Sequence, residues 1–241
     1  MSILRFEDWL QTSQGRYLLD WEQGALDRLV ADVFGYYAVQ VGLPGVDLLR
    51  ANRMPCRLSC GGAGRDLRCS EFELPFATAS LDLVLLPHVL EFSAHPHRVL
   101  REVERVLVPE GSVVISGFNP LSLWGVRKLL ARRDAAAPWG GYYRSAMRIR
   151  DWLTLLGFEV QANAFGCYAP PLRSPQWLER WRFADRAGAR WWPVLGAGYL
   201  LHGVKRVQGM RLITPHWRGR KATSKRLSPI AQRDGSTRNM P

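Results

Sequence analysis

A chain of 241 residues is long enough to bury a full core, as one large domain or two small ones. With 47% hydrophobic and 22% charged residues it has the composition of a folded globular protein, which excludes collagen-like and wholly disordered classes. The formal net charge is +12, but Lys205–Pro241 carries ten Lys and Arg against one Asp, so the basicity belongs to an appendage and not to the body.

The N-terminus mixes Glu7 and Asp8 with Arg5 and is followed by no apolar signal-like run, so the chain is expected to stay in the cytoplasm. Residues 1–34 read as helical, with Leu4, Trp9, Leu10, Leu18, Leu19, Trp21, Leu26, Leu29, Val30 and Val33 at three- and four-residue spacing. Tyr36–Val41 is a β-branched and aromatic run closed by Gly42, which predicts a strand entering a turn. Val46–Ala51 is a short helical candidate. Two weaker strands follow, Arg53–Cys60 and Asp66–Cys69, joined by a Gly61-Gly62-Ala63-Gly64 turn.

Four cysteines (Cys56, Cys60, Cys69 and Cys167) do not make a disulfide framework in a chain of this length. On a strand, Cys56 and Cys60 share one face as small apolar residues. His88, His95 and His97 lack the spacing that would complete a metal site with them, so no metal is expected.

Leu81–Leu86 is almost wholly apolar, as a parallel strand covered on both faces requires. His97–Leu107 places Val99, Leu100, Val103, Val106 and Leu107 on one helical face and Arg98, Arg101, Glu102, Glu104 and Arg105 on the other. Pro109-Glu110-Gly111 interrupts, and Ser112–Ser116 is the next buried strand, completing a βαβ unit. Ser145 can cap a helix with core positions Ile149, Trp152, Leu153 and Leu156. Gly157 then suits its left-handed end, and Phe158 opens another strand.

Residues 170–192 look like an insertion rich in Pro, Trp and Arg, with a helix near Trp177–Phe183. Its tryptophans, Trp177, Trp181, Trp191 and Trp192, alternate with Arg180, Arg182, Arg186 and Arg190. Such residues can stack on bases, form a lid or sit at a membrane surface. The favoured reading is plainer: a helix that caps the sheet with buried aromatic bulk. Tyr199–Val207 closes the series as the last strand. The stretch Trp191–Val204, broken by Pro193, three glycines and His202, is too short to span a bilayer. The alternation predicts an α/β fold with a doubly wound, mostly parallel sheet in three α/β/α layers over 1–214, and a disordered basic tail over 215–241.

Leu74-Pro75-Phe76, Leu81–Leu86, His88-Val89-Leu90-Glu91, Leu100–Leu107 and Pro109-Glu110-Gly111 together resemble the middle block of class I S-adenosylmethionine-dependent methyltransferases. Ile115–Ser122 is similar to one branch of bacterial methyltransferase-like proteins. The resemblance covers roughly residues 35–165. It implies a Rossmann-like fold, S-adenosylmethionine as cofactor and transfer of a methyl group to an acceptor that the sequence does not name. It places Gly42-Leu43-Pro44-Gly45 at the family's Gly-x-Gly-x-Gly loop, where two glycines remain and Pro44 removes a donor. Ser70 and Glu71 fall at the adenine end, and Leu86, Pro87 and His88 at the end of the fourth strand, lining the cofactor pocket. The acid that holds the ribose in relatives has no match.

The bland readings are a simple turn for Gly42 and Gly45, a helix-start carboxylate for Glu91 and a self-bonded turn for Asn119. The alternative function is a binding module of methyltransferase fold that has lost catalysis and holds nucleic acid or protein. The basic tail can attract phosphate backbones without sequence preference.

Overall fold

The computed structural model describes residues 3–61, 66–130, 138–172, 174–181 and 183–207. The expected disordered tail over 215–241 and the Gly62–Gly64 part of the expected turn lie outside the described residues.

In chain order the elements are α1 (Ile3–Leu10), α2 (Ser13–Val30), β1 (Tyr37–Val41), β2 (Cys56–Gly61), β3 (Leu67–Arg68), β4 (Leu81–Pro87), α3 (Val89–Phe92) and α4 (Pro96–Val106). Then come β5 (Leu107–Phe118), α5 (Leu123–Leu130), α6 (Ala146–Leu155), β6 (Phe158–Gly166), α7 (Pro175–Arg180), α8 (Phe183–Trp191), a 3-10 turn at Pro193–Leu195 and β7 (Gly198–Lys205). The strands form one sheet in the order β3-β2-β1-β4-β5-β7-β6. β1 to β5 pair in parallel, and β7 runs antiparallel between β5 and β6.

Apolar strands fit this sheet because each face is covered. Val39, Val41, Val84, Leu86 and Ile115 pack under α4 and α6, through Val99, Val103, Ile149 and Leu153. Ala38, Leu83, Leu85, Val114 and Leu200 pack under α1, α2 and α5, through Phe6, Leu18, Leu26 and Trp124. That is the three-layer, mostly parallel α/β/α fold the alternation predicts. Local signals hold where they are local: the Ser145 side chain accepts from Arg148 N–H at the start of α6, and Gly157 adopts φ 83° just past its end.

Three expectations are corrected. Val46–Ala51 forms turns, not a helix: Gln40 takes the Val46 carbonyl and the Leu48 N–H, and Asp47 takes the Leu49 N–H, so side chains hold the groups a helix would use. Pro109–Gly111 does not separate helix from strand. α4 passes straight into β5 at Leu107, and Val108–Gly111 bulges out between the pairs Leu81↔Leu107 and Leu83↔Ser112, with Glu110 at φ 65°. The insertion holds two helices, broken at Trp181. The third correction carries function: Trp177, Trp181, Trp191 and Trp192 are 53%, 37%, 70% and 61% exposed, so they are not buried bulk. Their helices turn Leu178 and Gly188 inward instead.

Candidate active site at the strand tips

The carboxyl ends of β1, β2 and β4 lie side by side in the sheet, and each chain leaves its strand through a left-handed residue: Gly42 at φ 84°, Gly61 at φ 149°, His88 at φ 53°. A Cβ on Gly61 would stand 3.3 Å from Gly42 N, so glycine lets the first two tips touch. Gly42 N–H donates to the Cys60 carbonyl at 2.8 Å. Leu43, also left-handed at φ 48°, is fully buried among the residues under α1 and α2. Beneath this loop Gln40, buried in an otherwise apolar strand, donates from Nε2 to the carbonyls of Gly42, Leu43 and Val46 at 3.1, 2.9 and 2.8 Å. The loop is pinned from within.

At the fourth tip the imidazole of His88 turns into the core, not into an open crevice. Nε2 lies 2.7 Å from Glu22 Oε1 and Nδ1 lies 2.7 Å from Glu91 Oε2, with all three side chains buried. Phe6 and Phe118 flank the ring at 4.7 and 4.6 Å. Burial alone would push His88 down, but the two carboxylates overcome that cost and hold it up at about 10, so the ring is an imidazolium at neutral pH. Glu91 also accepts the Phe118 N–H, which ties β5 to the start of α3. Glu22 Oε2 has no partner. The cluster therefore clasps α2, β4 and β5 at one point, and Glu91 is more than a helix-start carboxylate.

Of the residues the sequence singles out, Gly42, Leu43, Leu86, Pro87 and His88 gather at adjoining buried tips, while Pro44 is half-buried and Gly45 exposed. Ser70 is exposed and Glu71 half-buried just past β3, on the far side of β2. Sequence reasoning passed over Glu22, Gln40 and Phe6. The signal was present for two of them: Glu22 sits on the buried face of α2 between Leu18 and Leu26, and Gln40 interrupts an apolar strand. Asn119 makes its expected turn, accepting from Leu121 N–H at 3.1 Å, and also donates to the carbonyls of Val194 and Gly196. Among the described residues no cluster of His, Cys, Asp and Glu could hold a metal ion, and no helix is long and apolar enough to cross a membrane.

Residues 35–115 match the family model described as a methyltransferase domain. The chain is 37% identical over 134 residues to the Escherichia coli K12 protein YafS, a match covering 53% of this chain and 55% of that one. It is 28% identical over 134 residues to the biotin biosynthesis bifunctional protein BioHC of Cellvibrio japonicus, covering 52% and 27%. The chain thus spans about half the length of the first relative and about a quarter of the second. In fold it is similar to a methyltransferase from Thermotoga maritima (TM-score 0.56, 14% identity, covering 79% and 97%). It is likewise similar to one from Archaeoglobus fulgidus (TM-score 0.53, 15% identity, covering 77% and 94%). The architecture is that of the Rossmann-like class I methyltransferases.

Those two structures are described as S-adenosylmethionine-dependent methyltransferases, so the tips of this chain can be tested against that cofactor. With α1 in place the tips do not fit it. Gly45 N–H is held by the Glu7 carboxylate of α1 at 3.0 Å, the Gly42 and Leu43 carbonyls take Gln40, and both ring nitrogens of His88 are engaged. β2 itself ends in Cys60 and Gly61 and carries no acid, and the carboxylate of Asp66 accepts the Ser59 N–H at 2.7 Å. Gln40, His88, Glu91 and the Gly42–Gly45 loop already serve the chain itself, with Glu22 Oε2 the exception.

Proposed function

We propose that this chain is an S-adenosylmethionine-dependent methyltransferase that takes its cofactor at the tips of β1, β2 and β4 once α1 withdraws from them. In this reading Gly42, Leu43, Pro44 and Gly45 meet the methionine end, Ser70 and Glu71 the adenine end, and Leu86, Pro87 and His88 contribute backbone at the fourth tip. The observation that carries the reading is the strand order with its antiparallel β7, together with three adjacent tips that turn away left-handed. Doubly wound sheets bind ligands outside such tips. α1 is the element to move, because Glu7 and Phe6 are its links to the loop and to His88.

Isothermal titration of the full chain with S-adenosylmethionine, beside the variant Phe6→Ala/Glu7→Gln, tests this. If closure by α1 lowers the binding-competent fraction, the variant should bind at least roughly tenfold tighter than wild type. Absence of heat from both folded proteins at millimolar cofactor would sink the reading.

A second reading, a methyltransferase-fold binding module without catalysis, is favoured by one observation: Gln40, Glu7, Glu22 and Glu91 satisfy the site internally. It requires that opening α1 leaves cofactor affinity undetectable.

A further inference from the structure

Large apolar side chains crowd one exposed face. Leu121, Leu123, Val126, Leu129 and Leu130, on or just before α5, are 53–84% exposed. Across a groove of about 400 Å³ stand Trp181, Phe183, Trp192 and Leu195, and Trp177, Trp191 and Val194 of the same segments are exposed as well. Contiguous exposed apolar surface of this kind marks an interaction site, since single surface hydrophobics are ordinary but grouped ones are not.

The arrangement is held firmly. Asn119 donates to the Val194 and Gly196 carbonyls, Trp124 Nε1 donates to the Ala169 carbonyl at 2.9 Å, and Tyr168 donates to the Pro193 carbonyl at 2.7 Å. α8 packs on Tyr168 through Gly188, where a Cβ would stand 2.3 Å from the ring. The close approach spends the inward side of α8 on a glycine, so its bulky residues face outward. On α5 the buried positions are Trp124 and Gly125, with the same result.

Cations are interleaved with these residues. Arg180, Arg186 and Arg190 are exposed, whereas Arg127 and Lys128 are half-buried and donate to the Pro171 and Trp139 carbonyls. Of the two acids in the same segments, Asp185 is occupied by the Tyr17 hydroxyl and the Tyr168 N–H. Tryptophan with leucine and arginine on one surface suits a lipid interface, where rings and aliphatic chains enter the acyl boundary and guanidinium groups meet phosphates. A second copy fits poorly, because an isologous contact would set this cationic face against itself.

We propose that the face formed by α5, α7, α8 and the 3-10 turn docks on an anionic lipid bilayer. It lies next to the carboxyl tip of β5, which ends at Phe118, three residues before Leu121, so docking brings the strand tips close to the membrane.

The test uses the full chain and vesicles of equal parts phosphatidylglycerol and phosphatidylcholine. Co-sedimentation is expected with these and not with phosphatidylcholine alone. Vesicles with brominated acyl chains should quench tryptophan emission, and Trp191→Phe/Trp192→Phe should lose about half or more of that quenching. Leu129→Glu/Leu130→Glu, placed where both side chains are more than 80% exposed, should weaken binding roughly tenfold while melting like wild type. Binding without quenching and indifferent to Leu129→Glu/Leu130→Glu would assign attachment to the basic C-terminal segment and overturn the proposal. So would a stable dimer in solution that those substitutions dissociate, since the occupant would then be a second copy.

Discussion

Around His88 the chain takes an imidazolium and two carboxylates wholly out of water; along α5 and α8 it leaves leucines and tryptophans exposed to it. Both regions depart from the usual partition of polar and apolar groups, in opposite senses. In the first, most of the cost of burial is met inside the chain, because the imidazolium lies within hydrogen-bonding distance of both carboxylates and α2, β4 and β5 are fastened together, with Glu22 Oε2 left over. In the second the apolar surface is left uncovered among the described residues. A completed arrangement reads as architecture, and an uncompleted one points outward to a partner.

The contrast can be broken most sharply at His88. His88→Ala leaves Glu22 and Glu91 buried without their counter-charge and should cost about 3–5 kcal/mol of unfolding free energy in urea. A loss under about 1 kcal/mol would mean that the cluster is open to water. The pH dependence sharpens the same point. His88 is raised from 6.5 in the unfolded chain to about 10 in the folded one, so its contribution is complete below pH 6.5 and drains away as pH climbs to 10. Urea midpoints should fall over that window, the stability dropping by up to about 5 kcal/mol, and a His88→Asn variant should show a flatter profile. At the other region the expectation is near zero. Leu129→Glu/Leu130→Glu should shift stability by less than about 0.5 kcal/mol per site, and a larger loss would show that the face is covered within the folded chain.

How far these regions could be read beforehand differs for a physical reason. The βαβ unit from Leu81 to Ser116 was legible because helix and strand periods are written into adjacent residues, as were the Ser145 cap and the Gly157 exit. The tips of β1 and β4 were placed by resemblance, with Gly42 and His88 correctly at strand ends. What His88 does there was not legible: its partner Glu22 is 66 residues away, and nothing local says which face of α2 will cover which strand. Gln40 looked like an ordinary strand residue until its side chain was seen to hold three loop carbonyls and so deny Val46–Ala51 a helix. The Trp-rich insertion reversed its expected burial because Gly188, not a tryptophan, is what packs on Tyr168.

The amino-acid sequence by itself determined the class of fold and the order of most of its elements. Those follow from periodicity, capping and turn chemistry acting over a few residues. Only the tertiary structure decided that α1 closes the loop through Glu7, that a buried imidazolium joins α2 to β4 and β5, and that the described residues leave the apolar face of α5 and α8 uncovered. Each of these depends on which distant segments meet, and a contact between residues far apart in the chain has no local pattern that announces it.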